Sequence, residues 1–117
     1  MSEKIMLVLV LNKIQLLDDL LLALSDEGIK SATVINSAGM MQQLASASDE
    51  NIISTLRPLF IPNHSENKTM FMILNEEEVK IARRVINEVI GDLSKPETGV
   101  LFALPTLFTD GIRNLND

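Results

Sequence analysis

The sequence predicts an α+β fold in which a strand–helix–strand unit occurs twice, and three observations predict it. Apolar runs end at Leu11-Asn12 and again at Leu74-Asn75. A glycine follows each asparagine at the same interval of 16 residues, at Gly28 and at Gly91, with an amphipathic stretch between. Another apolar run follows each glycine. The order βαββαβ is that of a ferredoxin-like sandwich, an antiparallel sheet with two helices on one face.

The first unit begins with residues 5–11, which are apolar throughout. Such a run predicts a central strand that is covered on both faces, or covered by helices on one face and by a neighbouring subunit on the other. A helix is expected over residues 15–27, since its leucines recur at helical spacing, and Gly28 is expected to end it in a left-handed conformation. Residues 31–37 form the second predicted strand.

The second unit has the clearest helix start. Strand three is predicted over residues 69–74, and Asn75 then caps helix two. Glu78, three residues after the cap, can close a capping box. Gly91 ends this helix, and strand four runs from Gly99 to Pro105.

Between the units, residues 38–67 form a long insert within what is predicted to be a single domain of residues 1–117. A short helix is expected over residues 48–56, with Ser48 as its cap and Pro58 beyond its end. Roughly thirty residues exceed the usual length of a connection, so the insert is expected to be either functional or mobile.

Composition excludes several classes of function. The 117 residues contain no cysteine, which removes disulfides, thiol catalysis and cysteine metal sites. The net charge of −6 and the scattered basic residues argue against a nucleic-acid partner. The first apolar run is too short to span a membrane and lacks the features of a secretory signal, so we expect a cytoplasmic protein with no membrane insertion.

No residue pattern points to catalysis or to a metal. The acidic runs at Asp18-Asp19 and at residues 76–78 are sequential, whereas catalytic carboxylates converge from separate elements, so we interpret them as solvated helix surface. His64 is the only histidine and is expected to be an exposed loop residue. We expect the methionines at positions 40, 41, 70 and 72 to fill the core. We therefore predict that the protein is not an enzyme and has no metal site.

Several segments resemble the PII signalling proteins and their wider PII-like superfamily, across most of the chain. They are Leu17-Asp18-Asp19, Gly28-Ile29, Thr33-Val34, Phe60-Ile61-Pro62 and the run from Gly99 to Pro105. The last run is the most diagnostic, because it is similar to the family's Gly-Lys-Ile-Phe-Val-x-Pro segment.

The resemblance implies a homotrimer with three clefts between subunits. Each cleft would be bordered by the insert, which corresponds to the family's T-loop, and by the loop before strand four, its B-loop. A small-molecule effector, in the family ATP or ADP, would bind there, and residues 38–67 would contact a protein target. The resemblance assigns ligand binding, by position, to Thr33, Ser37, Gly39, Gln43, Thr98, Gly99 and Arg113.

The chain also departs from the family pattern. Val100 occupies the position of a lysine that contacts phosphates, Glu97 that of a B-loop glycine, and Gly111 that of a C-terminal arginine. The T-loop tyrosine has no counterpart, since the chain contains no tyrosine. An added carboxylate and a lost ammonium are expected to weaken polyphosphate binding. The cofactor is therefore left unknown, with an adenine nucleotide as the family's precedent.

Two alternatives stay open at the level of sequence. The first is a structural or metal-responsive trimer similar to the divalent-cation-tolerance family, although that family's aromatic-rich strand motif is missing. The second is an acylphosphatase-like enzyme, whose phosphate loop needs Gly and Arg where this chain has Asn12-Lys13-Ile14-Gln15.

Overall fold

The computed structural model describes residues 3–40, 43, 44 and 67–112 of the chain. They form four strands and two α-helices: β1 (Ile5–Leu11), α1 (Leu17–Asp26), β2 (Thr33–Ser37), β3 (Asn67–Leu74), α2 (Glu76–Ile90) and β4 (Gly99–Pro105). All strand pairs are antiparallel, in the order β2-β3-β1-β4. The predicted ferredoxin-like α+β fold is therefore confirmed.

Strand register divides the side chains of the sheet between two faces. Leu7 pairs with Met72 on one side and with Ala103 on the other, and Leu9 pairs with Met70 and Leu101. Because side chains alternate along a strand, these residues share one face and their sequence neighbours share the other. The first face carries the helices, and its central side chains, such as Leu9 at 0% exposure, are fully buried.

The core lies between this face and the two helices. It consists of buried aliphatic side chains from the strands, from both helices and from the turn after α1: Leu7, Leu9, Leu11, Leu20, Leu24, Ile29, Met70, Met72, Leu74, Ala82, Val85, Ile86 and Ile90. Among the residues that the structure describes, no aromatic side chain belongs to this cluster. The prediction of core methionines is confirmed for Met70 and Met72 but is wrong for Met40, which is exposed beyond the end of β2. Met41 lies outside the described residues.

The helix ends follow from local chemistry. Asn75 Oδ1 accepts from the Glu78 N–H at 2.8 Å, and Glu78 Oε1 accepts from the Asn75 N–H at 3.0 Å, which is the predicted capping box. Gly28 and Gly91 have positive φ angles of 89° and 96° and follow the two helix ends as predicted. The two helices are also joined by an ion pair of 3.0 Å between Arg84 and Glu27.

Three predicted boundaries differ from the structure. Residues 14–16 form a 3₁₀ turn and α1 starts only at Leu17, since no side chain caps either start. β2 begins at Thr33, two residues later than predicted. β3 begins at Asn67, inside the predicted insert, because Asn67 pairs with Ser37 and is buried. The predicted helix over residues 48–56 and His64 lie outside the described residues.

In the described part of the chain, neither α-helix combines the length and the apolar character that a membrane span requires.

Candidate functional site

The predicted ligand residues fall into two groups at opposite edges of the sheet. Thr33 and Ser37 lie on β2, and Gly39 and Gln43 follow it; we call these four residues the β2 half-site. Gly99 is the first residue of β4 and Thr98 immediately precedes it; we call these two residues the β4 half-site. β3 and β1 separate the two edges, a distance of roughly 14 Å at the usual spacing between strands. One copy of the chain therefore does not bring the two half-sites together.

Ser37 and Gly39 nevertheless lie toward the same end of the sheet as the β4 half-site, whereas Thr33 lies three rows away from that end. Asn36 pairs with Lys68, Lys68 with Leu11, and Leu11 with Gly99, so these four residues form one row across the four strands. Ser37 and Gly39 follow Asn36, while Thr98 precedes Gly99. Arg113, the remaining predicted ligand residue, lies outside the described residues.

A polar cluster holds the end of the β2 half-site. The Ser37 hydroxyl donates to Asn67 Oδ1 and lies 2.8 Å from Thr69 Oγ1. Since a serine hydroxyl has one proton, the Thr69 hydroxyl must donate to Ser37 when Ser37 donates to Asn67. On the other face of the same strands, Lys68 Nζ donates to Asn36 Oδ1. These contacts join β2 to β3 where the chain leaves the sheet.

Beyond the strand, the backbone N–H of Gln43 donates to the carbonyl of Gly39 at 2.9 Å, a single helical turn. This places Gln43 one helical turn after Gly39. Thr33 is exposed on β2, opposite Phe71.

The loop of residues 92–98 leads into β4 and ends with Thr98 of the β4 half-site. Hydrogen bonds between its own residues hold it in place. Asp92 Oδ1 accepts from the Ser94 hydroxyl at 2.7 Å and from the Ser94 N–H at 2.9 Å. These two bonds hold the pKa of the Asp92 carboxyl below its ordinary value, the hydroxyl bond contributing more. The carboxylate, and with it this turn, is retained to a lower pH than an unbonded carboxyl would allow.

Thr98 and Gly99 are set close against β1. Thr98 is 1% exposed, its hydroxyl donates to the Pro96 carbonyl at 3.3 Å, and its carbonyl accepts from the Asn12 N–H at 3.1 Å. A Cβ on Gly99 would lie 2.8 Å from the Val10 carbonyl oxygen, so only glycine fits without a shift of the backbone. Glu97 takes a φ of 59°, a conformation that favours glycine.

The face of the sheet opposite the helices carries no charged side chain on its paired rows. We call it the open face; it consists of Met6, Val8, Val10, Thr33, Ile35, Ser37, Asn67, Thr69, Phe71, Ile73, Val100, Phe102 and Leu104. Ile35 is 48% exposed, Val100 60%, Phe102 45% and Leu104 47%. Three of these four side chains alternate along β4 at one edge of the sheet, and Ile35 lies on β2 at the other edge.

Sequence reasoning missed Asn67, Thr69 and Lys68. Asn67 falls in the predicted polar insert, although Asn67 and Thr69 have the two-residue spacing of one strand face. Lys68 is the single charged residue in the four described strands. Its position inside a strand could have drawn attention to it.

Comparison with known proteins gives a result at the level of the fold. No protein-family model matches this chain, and no curated protein matches it either. Solved structures do match. The structure of PII from Arabidopsis thaliana bound to citrate has a TM-score of 0.61 and 15% identity, covering 91% of this chain and 77% of its own. The fold is that of the PII-like proteins.

Two further structures extend this likeness. A DUF3240 family protein from Shewanella baltica has a TM-score of 0.63 and 14% identity, covering 97% of this chain and 100% of its own. The GlnK–ATP complex from Bacillus subtilis has a TM-score of 0.54 and 17% identity, covering 89% of this chain and 83% of its own. The resemblance inferred from Gly99–Pro105 and the other segments is thereby confirmed for the PII-like fold.

Proposed function

We propose that this PII-like chain is a non-enzymatic regulator that assembles into a homotrimer and binds a small anionic or nucleotide-like metabolite between subunits. The observation that carries the proposal is the separation of the two half-sites. They lie at opposite edges of one sheet, and all of the described half-site residues except Thr33 lie toward the same end of it. Copies that meet edge to edge would place the β2 half-site of one beside the β4 half-site of the next.

The open face supports assembly. Its exposed apolar side chains would be covered if copies turned this face toward a common axis, and burial of apolar area is the main favourable term in association. β4 also presents an edge strand of seven residues without a charge, the kind of edge that pairs with another chain.

An anionic ligand is favoured by two observations. Lys68, the one strand charge in the described residues, lies in the row that joins the two half-sites. In addition, two of the fold neighbours were solved with anions bound, citrate in Arabidopsis PII and ATP in GlnK. In this proposal residues 38–66, between β2 and β3, contact a protein partner in the cytoplasm and signal to it whether the ligand is bound.

A divalent-cation-tolerance-like trimer is the second candidate, since the assembly would serve it equally. In the described residues, no three acidic or histidine side chains converge on a point that could hold a metal ion. We therefore place the metabolite proposal first.

Calorimetry on three proteins tests the proposal. The wild type is titrated with ATP, ADP, citrate, cyclic dinucleotides and bicarbonate, and its mass is followed by light scattering. Phe102→Asp puts a charge on the open face and should give a folded monomer that binds nothing. Leu22→Asp is the matched control: Leu22 is 66% exposed on α1, on the opposite layer, so this variant should assemble and bind as the wild type does.

The proposal predicts binding of at least one of these ligands by the wild type and by Leu22→Asp. A wild type that is monomeric at all concentrations, or that binds no ligand of the panel, would contradict it. Equal binding by a monomeric Phe102→Asp variant would contradict the inter-subunit location of the site.

A further inference from the structure

The chain beyond β4 presents two apolar side chains that its own fold does not use. Leu107 is 80% exposed and Phe108 is 75% exposed, more than any large apolar side chain of the open face. Neither contributes to the buried core. Exposing these two neighbouring side chains in a single copy costs free energy that association could recover.

The point at which this segment leaves the sheet is fixed. The Thr106 hydroxyl donates to the Lys4 carbonyl at 2.8 Å, and the Thr106 N–H points to the same oxygen at 3.3 Å. Lys4 immediately precedes β1. The segment therefore starts from the end of the sheet where Met6 and Leu104 pair on the open face.

We propose that residues 106–112 form an intermolecular arm, and that Leu107 and Phe108 are buried against the open face of a neighbouring copy. The inference rests on the self-association in the proposed function and adds a contact that the sheet alone does not supply. The partner is a second copy of this chain.

Chemical match favours this partner. Residues 106–109 carry no charge, and neither does any paired position of the open face. The arm continues directly from Leu104, which is itself 47% exposed on that face. A lipid surface is disfavoured because the chain carries a net charge of −6, which anionic membranes repel.

Reach is sufficient for the contact. Seven extended residues span roughly 23 Å, which is several times the spacing between neighbouring strands. When two copies meet at the open face or at a sheet edge, the arm of one can therefore extend across strands of the other.

A tryptophan probe tests the arm, because the natural chain contains no tryptophan. Phe108→Trp places the probe on the arm, and Leu22→Trp places a control on α1 at a similar exposure. Acrylamide quenching is measured above and below the concentration at which light scattering detects assembly. Quenching at position 108 should fall on assembly, whereas quenching at position 22 should stay unchanged.

A second variant measures the contribution of the arm. Leu107→Ser/Phe108→Ser should raise the Kd of assembly about tenfold or more while leaving the circular dichroism of the monomer unchanged. An unchanged Kd would overturn the proposal.

The outcomes separate the arm from the proposed function. An assembly in which position 108 stays open to acrylamide overturns the arm and leaves the trimer standing. Absence of any assembly overturns both. Protection that appears only when phosphatidylcholine vesicles are added to the monomer assigns the arm to lipid and overturns its role between copies. Protection on assembly without binding of any ligand upholds the arm and contradicts the ligand proposal alone.

Discussion

Glu97 shows how one residue departs from the PII-like pattern at a conformational cost. Its φ of 59° lies in the left-handed region, where a residue with a Cβ pays roughly 1–2 kcal/mol relative to the right-handed region. The resemblance indicates a glycine at this position. The structure explains why the family has a glycine there: the backbone at position 97 adopts a left-handed conformation, which glycine takes without strain, and it does so here even with the glutamate side chain.

We predict that Glu97→Gly raises the free energy of unfolding by about 1 kcal/mol, because glycine adopts this conformation without strain. Urea denaturation measures the change. Glu97→Ala is the matched control: it removes the carboxylate but keeps the Cβ, so it should not stabilise. A glycine variant no more stable than the alanine variant would show that the strain is absent.

Val100 is the second departure, and it can be reversed. Val100 is 60% exposed at the end of the open face that adjoins the β4 half-site. Under the proposed function, Val100→Lys adds a cation to that end of the cleft. A charge-assisted hydrogen bond contributes about 1.5–3 kcal/mol, so the Kd for ATP should fall by about tenfold to a hundredfold.

Leu22→Lys is the control for this variant, since Leu22 is 66% exposed on α1 and adds the same charge away from the open face. Calorimetry should show a gain for Val100→Lys alone, with light scattering confirming that both variants still assemble, because Val100 is the first open-face position of β4 and borders the proposed cleft. The same gain in both variants would mean that the added charge acts non-specifically.

At the scale of elements, the capping box makes α2 the best specified element of the chain. Both of its reciprocal bonds are present, and three glutamates in its first turn complement the helix dipole. α1 has no side-chain cap, and its start is a 3₁₀ turn. The predicted bounds are correspondingly better for α2 than for α1.

We predict that Asn75→Ala lowers the free energy of unfolding by about 1 kcal/mol, because the Glu78 N–H loses its acceptor. Asn87→Ala is the control within the same helix. Asn87 is exposed, so this change should be neutral or slightly stabilising, since alanine has the higher helix propensity. Thermal or urea denaturation distinguishes the two, and an equal loss for both would place the effect outside the cap.

At the scale of the whole molecule, the two faces of the sheet have different environments. The helices bury one face of the sheet, while the open face exposes large apolar side chains and the arm exposes two more. Under the proposed function the folded chain would gain stability by association, because any contact that binds the folded form alone shifts the unfolding equilibrium.

We therefore predict that the urea midpoint of the wild type rises with protein concentration. The midpoint of Phe102→Asp should be independent of concentration, since a carboxylate buried without a partner in the middle of the open face would prevent assembly. Circular dichroism at several concentrations measures both. A wild-type midpoint that does not change over a hundredfold range would contradict association through this face.

The sequence by itself determined the topology. Periodicity, the cap at Asn75 and the glycines at 28 and 91 are local signals, and each acts through the backbone of a few neighbouring residues. Residue type predicted core positions for Met40, Met70 and Met72 alike, and it was right only for the two that lie on the strand face covered by the helices. Local signals failed at Asn67, whose strand conformation depends on pairing with Ser37, a residue distant along the chain.

Only the tertiary structure decided how the candidate site is divided. Resemblance to the PII proteins named Thr33, Ser37, Thr98 and Gly99 together, but the strand order β2-β3-β1-β4 sets them at opposite edges. It also decided that Val100, Phe102 and Leu104 lie on a face without helices. An apolar run looks the same in sequence whether its cover is a helix of the same chain or another copy, because burial depends on which surfaces meet in space and not on which residues are neighbours along the chain.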